Sequence, residues 1–205
     1  MENDLKSLIS DREKIMYEGK PNKKCFLFEC IFNPLLPIAL VWLFIDLGFI
    51  ISTSSSGAFS EPGVGIFIIP FFLIHLMPVW IYLGGAIGSI IKYKNTYYIV
   101  TDQAVYISGG VVSKSFNVKP FQEMSRVNLH RGFFDQMFNV GDVVVTTNQL
   151  DSRGRVANMR INSISNYTEV YNLVKKLQTD IYTDAMYPND MRPKENHGYN
   201  TQYKG

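Results

Sequence analysis

Side chains able to do acid–base, nucleophilic or metal chemistry are few and scattered. The histidines His75, His130 and His197 stand far apart, and Cys25 and Cys30 have no histidine nearby. A four-cysteine zinc site and a disulfide-stapled scaffold are both excluded. The chain carries no glycine-rich phosphate loop, no serine nucleophile elbow and no histidine pair at one-turn spacing. Gly84, Gly85 and Gly88 follow no strand, so they read as a helix-packing stripe rather than a nucleotide loop. No catalytic residue, cofactor or metal is expected, and the chain reads as a non-enzyme.

Three constellations could instead recognise something. Asp46 and His75 are the ionisable groups within long apolar runs, where such groups are costly and usually face a partner. With spans at 30–50 and 71–91, both lie about one turn from the same end and can pair. With the second span starting at Val64, His75 lies deeper and the pairing fails. The preferred expectation is the unpaired one, with Asp46 solvated at the interface and His75 neutral. The second constellation is the segment His130–Phe138. Arg131, Phe133, Phe134, Met137 and Phe138 make it either a docking loop for a protein or a membrane, or a short helical connection filling the core, and core filling is preferred. The third is Arg153, Arg155 and Arg160, a basic edge that is solvated by default and could contact lipid phosphate.

The elements that position these residues follow from composition. The 205 residues are 46% hydrophobic and 19% charged with a net charge of +2, which argues against a nucleic-acid binder. Mean hydropathy is near zero, yet one third of the chain is very apolar. The runs 26–51 and 64–91 each exceed the roughly 20 residues that cross a bilayer, and 31–51 contains a single charge, Asp46. At 1.5 Å per residue the second run measures about 42 Å against a core of about 30 Å, so Pro70 and Pro78 are expected to kink it. The intervening 52–63 is rich in Ser, Gly and Pro and lacks Lys and Arg. Arg12, Lys14, Lys20, Lys23 and Lys24 precede the first run, and Lys92 and Lys94 follow the second. The basic flanks predict an external loop, cytoplasmic termini and a two-span protein of the cell membrane. A polar segment, 1–25, precedes the first run, so no cleavable signal is expected. Cys25 and Cys30 then sit reduced at the cytoplasmic edge.

From Lys92 to Asp180 there are 11 basic and 7 acidic residues, a difference of +4 that suits a domain beside an anionic leaflet. The pattern there is mostly of period two. Strands are expected at 95–100, 104–107, 111–118, 121–129, 143–147 and 156–161. Gly109-Gly110 reads as a two-residue hairpin turn. Ile164, Tyr167, Val170, Tyr171, Val174, Leu177 and Ile181 then trace one helical face, with Asn166 and Glu169 as a capping pair. Residues 183–205 lack periodicity and read as a disordered tail.

Several stretches carry a family resemblance. Residues 12–21, from Arg12 to Pro21, are similar to an E-x-I-x-x-E-G-x-P motif. Tyr98 to Thr101 matches Y-x-x-T, Phe138 to Thr147 resembles L-F-G-x-G-D-V-x-I-x-T with Asn139 in place of a glycine, and Ile164 to Tyr167 resembles the start of the last helix with Tyr167 in place of a proline. The chain thereby resembles, over about residues 12–180, the bacterial pleckstrin-homology-like membrane proteins often called YdbS-like. The resemblance implies a two-helix transmembrane hairpin (26–51 and 64–91), then a mainly-β pleckstrin-homology-like barrel with a C-terminal helix at 92–182. It implies a protein that binds or scaffolds protein partners or copies of itself at the cytoplasmic membrane face. A membrane-protection role, in bacteriocin resistance or immunity, is the alternative, with lipid sensing a third reading. Eukaryotic relatives hold inositides through basic residues of the first hairpin loop. That loop is expected at Thr101–Gln103, which has no Lys or Arg, so no inositide-specific binding is expected.

Overall fold

A computed structural model describes residues 2–57, 63–150, 154 and 156–186, leaving aside the side chains of 148–150 and 184–186. The described chain divides into two compact units. One is discontinuous, built from 1–26 and 92–205, and the other is 27–91.

The first unit begins within 1–25, which the sequence pattern marks only as a polar N-terminal segment preceding the first apolar run. A short helix α1 (Glu2–Lys6) precedes strand β1 (Ile15–Gly19). β1 pairs antiparallel with β2 (Tyr97–Thr101), Glu18 lying opposite Ile99. β3 (Ala104–Gly109) and β4 (Ser115–Pro120) complete an antiparallel sheet in the order β1-β2-β3-β4. A second antiparallel sheet, β5-β6-β7, is made by Met124–His130, Gly141–Leu150 and Val156–Ile164. No pairing joins the two sheets among the described residues, so the expected closed barrel is an open pair of sheets. The domain is also not bounded by 92: 1–26 belongs to it and supplies an edge strand.

Period-two burial explains this arrangement. Tyr98, Val100 and Val105 of the first sheet form one core with Met124, Val127, Val143, Val145, Met159 and Ile161 of the second. The last helix, α7 (Tyr167–Met186), seals it with Val170, Val174 and Leu177 and packs on β5 and β6. It therefore runs four residues past the expected helical end at Tyr182, and 187–205 lie outside the described residues. Tyr97, Ile99, Ala104 and Tyr106 face the other way and are covered by Leu5 of α1. β2 is thus buried at all five positions, as strands covered on both faces must be.

Polar side chains fasten β1 to its neighbours. Glu13 accepts hydrogen bonds from Tyr106 Oη (2.9 Å) and Thr101 Oγ1 (2.7 Å). Burial, reinforced by Glu13, pushes the Tyr106 hydroxyl up to about 12. The Lys14 N–H donates to Asp102 Oδ1 at 3.0 Å. The turn at Thr101–Gln103 therefore joins the second and third strands, not the first two. The connection from β1 to β2 is the whole of 20–96.

That connection holds the helices. α2 (Lys23–Ile31) is followed by Asn33-Pro34, where Asn33 donates to Cys30 O (2.6 Å) and accepts from the Leu35 N–H (2.8 Å). The expected continuous helix over 26–51 is thus split, because Asn-Pro favours a turn. α3 (Leu35–Ser55) is long and apolar enough to cross a membrane. α4 (Val64–His75) and α5 (Met77–Asn95) pass that test only as a pair, bent by 52°. Pro78 lies in the first turn of α5, where its missing N–H costs nothing, so it starts a helix rather than kinking one. Residues 58–62 of the expected external loop lie outside the described residues.

The ring centroids of Phe26 and Tyr93 stand 5.9 Å apart, so the two ends of the insertion are neighbours within the first unit. A chain in which 2–26 is joined by a short glycine-serine linker to 92–186 is expected to be soluble, with one cooperative thermal transition followed by circular dichroism. The fragment 92–186 alone bares the β2 edge and is expected to aggregate.

Candidate functional site

The break between α4 and α5 builds the most unusual polar arrangement. A helix end leaves carbonyls without partners. Two indoles fill the deficit: Trp42 Nε1 donates to His75 O (2.7 Å) and Trp80 Nε1 to Leu73 O (3.2 Å). Trp42 also brings α3 against the break, its ring centroid 5.4 Å from that of His75. Phe71 stacks on the imidazole at 5.1 Å.

Held this way, His75 Nδ1 lies 2.7 Å from Asp46 Oδ1. The Asp46 residue is 2% exposed, and its other oxygen, Oδ2, is buried with no hydrogen-bond partner among the described residues. The structure thus pairs the two groups, against the preferred expectation. The second apolar run does turn helical at Val64, a start that was expected to prevent pairing. The first helix is displaced as well, since it runs to Ser55 and puts Asp46 about 13 Å from its C-terminal end. Asp46 thus lies farther from its helix end than expected, and the two groups still meet.

The segment 130–138 resolves both readings by residue. α6 (Phe133–Met137) is a short helix. Asp135 is fully buried and accepts from the Gly132 N–H (2.8 Å) and from Cys25 Sγ (3.4 Å). Arg131 turns inward, its Nε donating to Val140 O (2.8 Å) and its guanidinium lying 4.7 Å over the Tyr167 ring. Phe134 and Phe138 are half-buried. Phe133 and Met137, one turn apart, are 77% and 53% exposed. The five named residues thus divide into an inward anchor, two packing rings and an outward apolar pair.

Of the basic edge, Arg153 and Arg155 lie outside the described residues. Arg160 is half-exposed and lies 3.3 Å from Asp142 Oδ2. Asp142 also accepts the Ser163 N–H at 2.7 Å, steadying a serine with φ of +52°. Burial raises the Asp142 carboxyl above the ordinary range. His130, Asp135 and Asp142 place ligand atoms within 4.8 Å of one another. Both carboxylates are already engaged as described, so the cluster fastens loops.

Sequence reasoning missed the Cys25–Asp135 contact and the indole caps, which join residues far apart in sequence. The Asn139 signal was present: Asn139 has φ of +51°, the left-handed conformation that a glycine adopts freely and asparagine tolerates.

An antiparallel four-stranded sheet, an antiparallel three-stranded sheet and a C-terminal helix sealing their shared core make a pleckstrin-homology-like fold. The sequence profile of the family described as bacterial PH domain matches residues 40–178, and the chain belongs to that family. No curated protein matches it. Among solved structures it is similar to the Vps36 N-terminal PH domain, with a TM-score of 0.33 and 10% identity, covering 46% of this chain and 69% of that one.

Removing one partner of a buried pair strands the other, whereas replacing both with apolar groups is often neutral. Asp46→Leu is expected to lower stability by about 3 kcal/mol. Asp46→Leu with His75→Phe is expected to regain most of that, read as thermal midpoints of the detergent-solubilised protein.

Proposed function

We propose that this chain is a non-enzymatic, membrane-anchored pleckstrin-homology-like protein that binds or scaffolds a protein partner at the cytoplasmic face. The observation that carries this reading is the pairing of β1 with β2. Strands of one sheet lie on one side of a bilayer, so 20–96 must leave and return on that side. If α3 crosses, the bent pair α4–α5 has to cross back, and the family match at 40–178 takes in most of this excursion. Lys20, Lys23 and Lys24 before it and Lys92 and Lys94 after it support cytoplasmic flanks, opposite a loop without Lys or Arg.

The partner reading rests on α6. An exposed Phe133–Met137 pair, on a helix fixed by Asp135 and Arg131, offers a preorganised apolar contact. The connection between the first two strands, where eukaryotic relatives hold inositides, is given over to the helical insertion. This favours protein over inositide recognition.

Ser55→Cys is expected to react with an impermeant thiol reagent in whole cells while the parent protein does not. Reaction only after lysis would reverse the orientation. Phe133→Asp with Met137→Asp is expected to abolish any partner co-purified from native membranes while leaving the thermal midpoint within a few degrees. A partner retained by this variant would remove α6 from the contact.

A further inference from the structure

The helical unit, 27–91, holds few groups that can carry a charge. Its titratable side chains are Glu29, Cys30, Asp46, Glu61, His75 and Tyr82. Glu29 and Cys30 belong to α2, before Asn33-Pro34, whereas Asp46 lies about 16 Å along α3 from Leu35. Tyr82 turns toward the end of α2, its hydroxyl donating to Ile31 O at 3.1 Å. Glu61 lies outside the described residues. Lys92, Tyr93 and Lys94 stand at the far end of α5, about four turns past the break. Asp46 is the one titratable group of α3 and His75 the one of α4. The two meet in an otherwise uncharged surrounding.

Each member of the pair has one polar atom left over. Asp46 Oδ2 is buried and accepts no hydrogen bond among the described residues. A carboxylate oxygen in that position is costly to leave unsatisfied. His75 Nδ1 faces Asp46 Oδ1. Phe71 stacks on the ring with 16° between planes, and Trp42 lies against it at 35°. The His75 side chain is nevertheless 34% exposed. With Nδ1 and the ring faces taken, the exposure falls to the edge that carries Nε2, which makes no hydrogen bond among the described residues. The imidazole thus joins the buried carboxylate to the surface of the unit. It is also the side chain that can take a proton on one nitrogen and give one from the other.

We propose that Asp46 and His75 form a proton-binding site, loaded through His75. A proton adds to Nε2 and makes the ring an imidazolium. The Nδ1 proton then passes to Asp46 Oδ1, leaving a carboxylic acid and a neutral ring protonated at Nε2. One proton enters, and the pair goes from one negative charge to none. The unpartnered Oδ2 becomes the carbonyl oxygen of a neutral acid, far less costly to bury than half of a carboxylate. The site lies within 27–91 and stands whether or not α3 crosses a bilayer.

The test is nitrogen-15 NMR of the histidine rings of the full-length protein in detergent, from about pH 5 to about pH 9, a range that brackets ordinary histidine. His75→Gln identifies the His75 signals. Toward low pH, Nε2 of His75 is expected to change from bare to protonated while Nδ1 changes from protonated to bare. His130, 58% exposed, is the internal control and is expected to end with both nitrogens protonated. Asp46→Asn removes the acceptor, so His75 is then expected to behave as His130 does. The parent protein decides by itself, so the test survives a misfolded variant. His75 nitrogens that do not change would overturn the site. Two protonated nitrogens on His75 of the parent would also overturn it, since the proton then stays on an isolated base. A change that follows sodium or potassium at constant pH and ionic strength would replace the proton with a metal cation and overturn it as well.

Discussion

The β1–β2 ladder constrains everything else in this chain. Ile15–Gly19 meets Tyr97–Thr101 across an excursion that holds every long apolar helix. Loop-closure entropy grows only slowly with length, so the excursion itself is a modest burden. What must be supplied is specificity at the junction. Glu13, Thr101, Asp102 and Tyr106 provide it by hydrogen bonds that only the native register satisfies. β1 also places α1 on the outer face of the sheet, where Leu5 closes over Tyr97 and Ile99. Without β1 the most buried strand of the domain would be an open edge.

The second unit solves a different problem with related means. Its helix break leaves carbonyls that water would satisfy on a protein surface. In apolar surroundings other groups of the protein must do so. Trp42 and Trp80 serve as donors to His75 and Leu73, and the same contact brings His75 to Asp46. Backbone irregularity, aromatic packing and the ionisable pair are therefore one arrangement.

Legibility in the sequence followed the range of the interactions. Period-two alternation marked β2 to β7, and the spacing from Ile164 to Ile181 marked α7, because local geometry sets both. The lysine asymmetry around the apolar runs was equally plain. Ile15–Gly19 carries motif residues but no strand pattern of its own, since these five residues acquire a partner only about 80 residues later. Val111 and Val112 misled because β-branched residues favour strands, while Gly110, with φ of +116°, imposes a five-residue loop, 110–114, in place of the expected two-residue turn. The Asp46–His75 pairing depends on where two helices begin, which composition does not set. Asn33-Pro34 moved one start, and the first helix runs on to Ser55.

The discontinuity of the domain also orders its birth. A ribosome delivers β1 early, then the entire apolar excursion, and only afterwards the strand that β1 needs. β1 therefore waits unpaired until the whole excursion has been made and Tyr97–Thr101 has emerged. The first sheet can close only after α2 to α5 have been synthesised, so its completion reports that the excursion has brought both ends together.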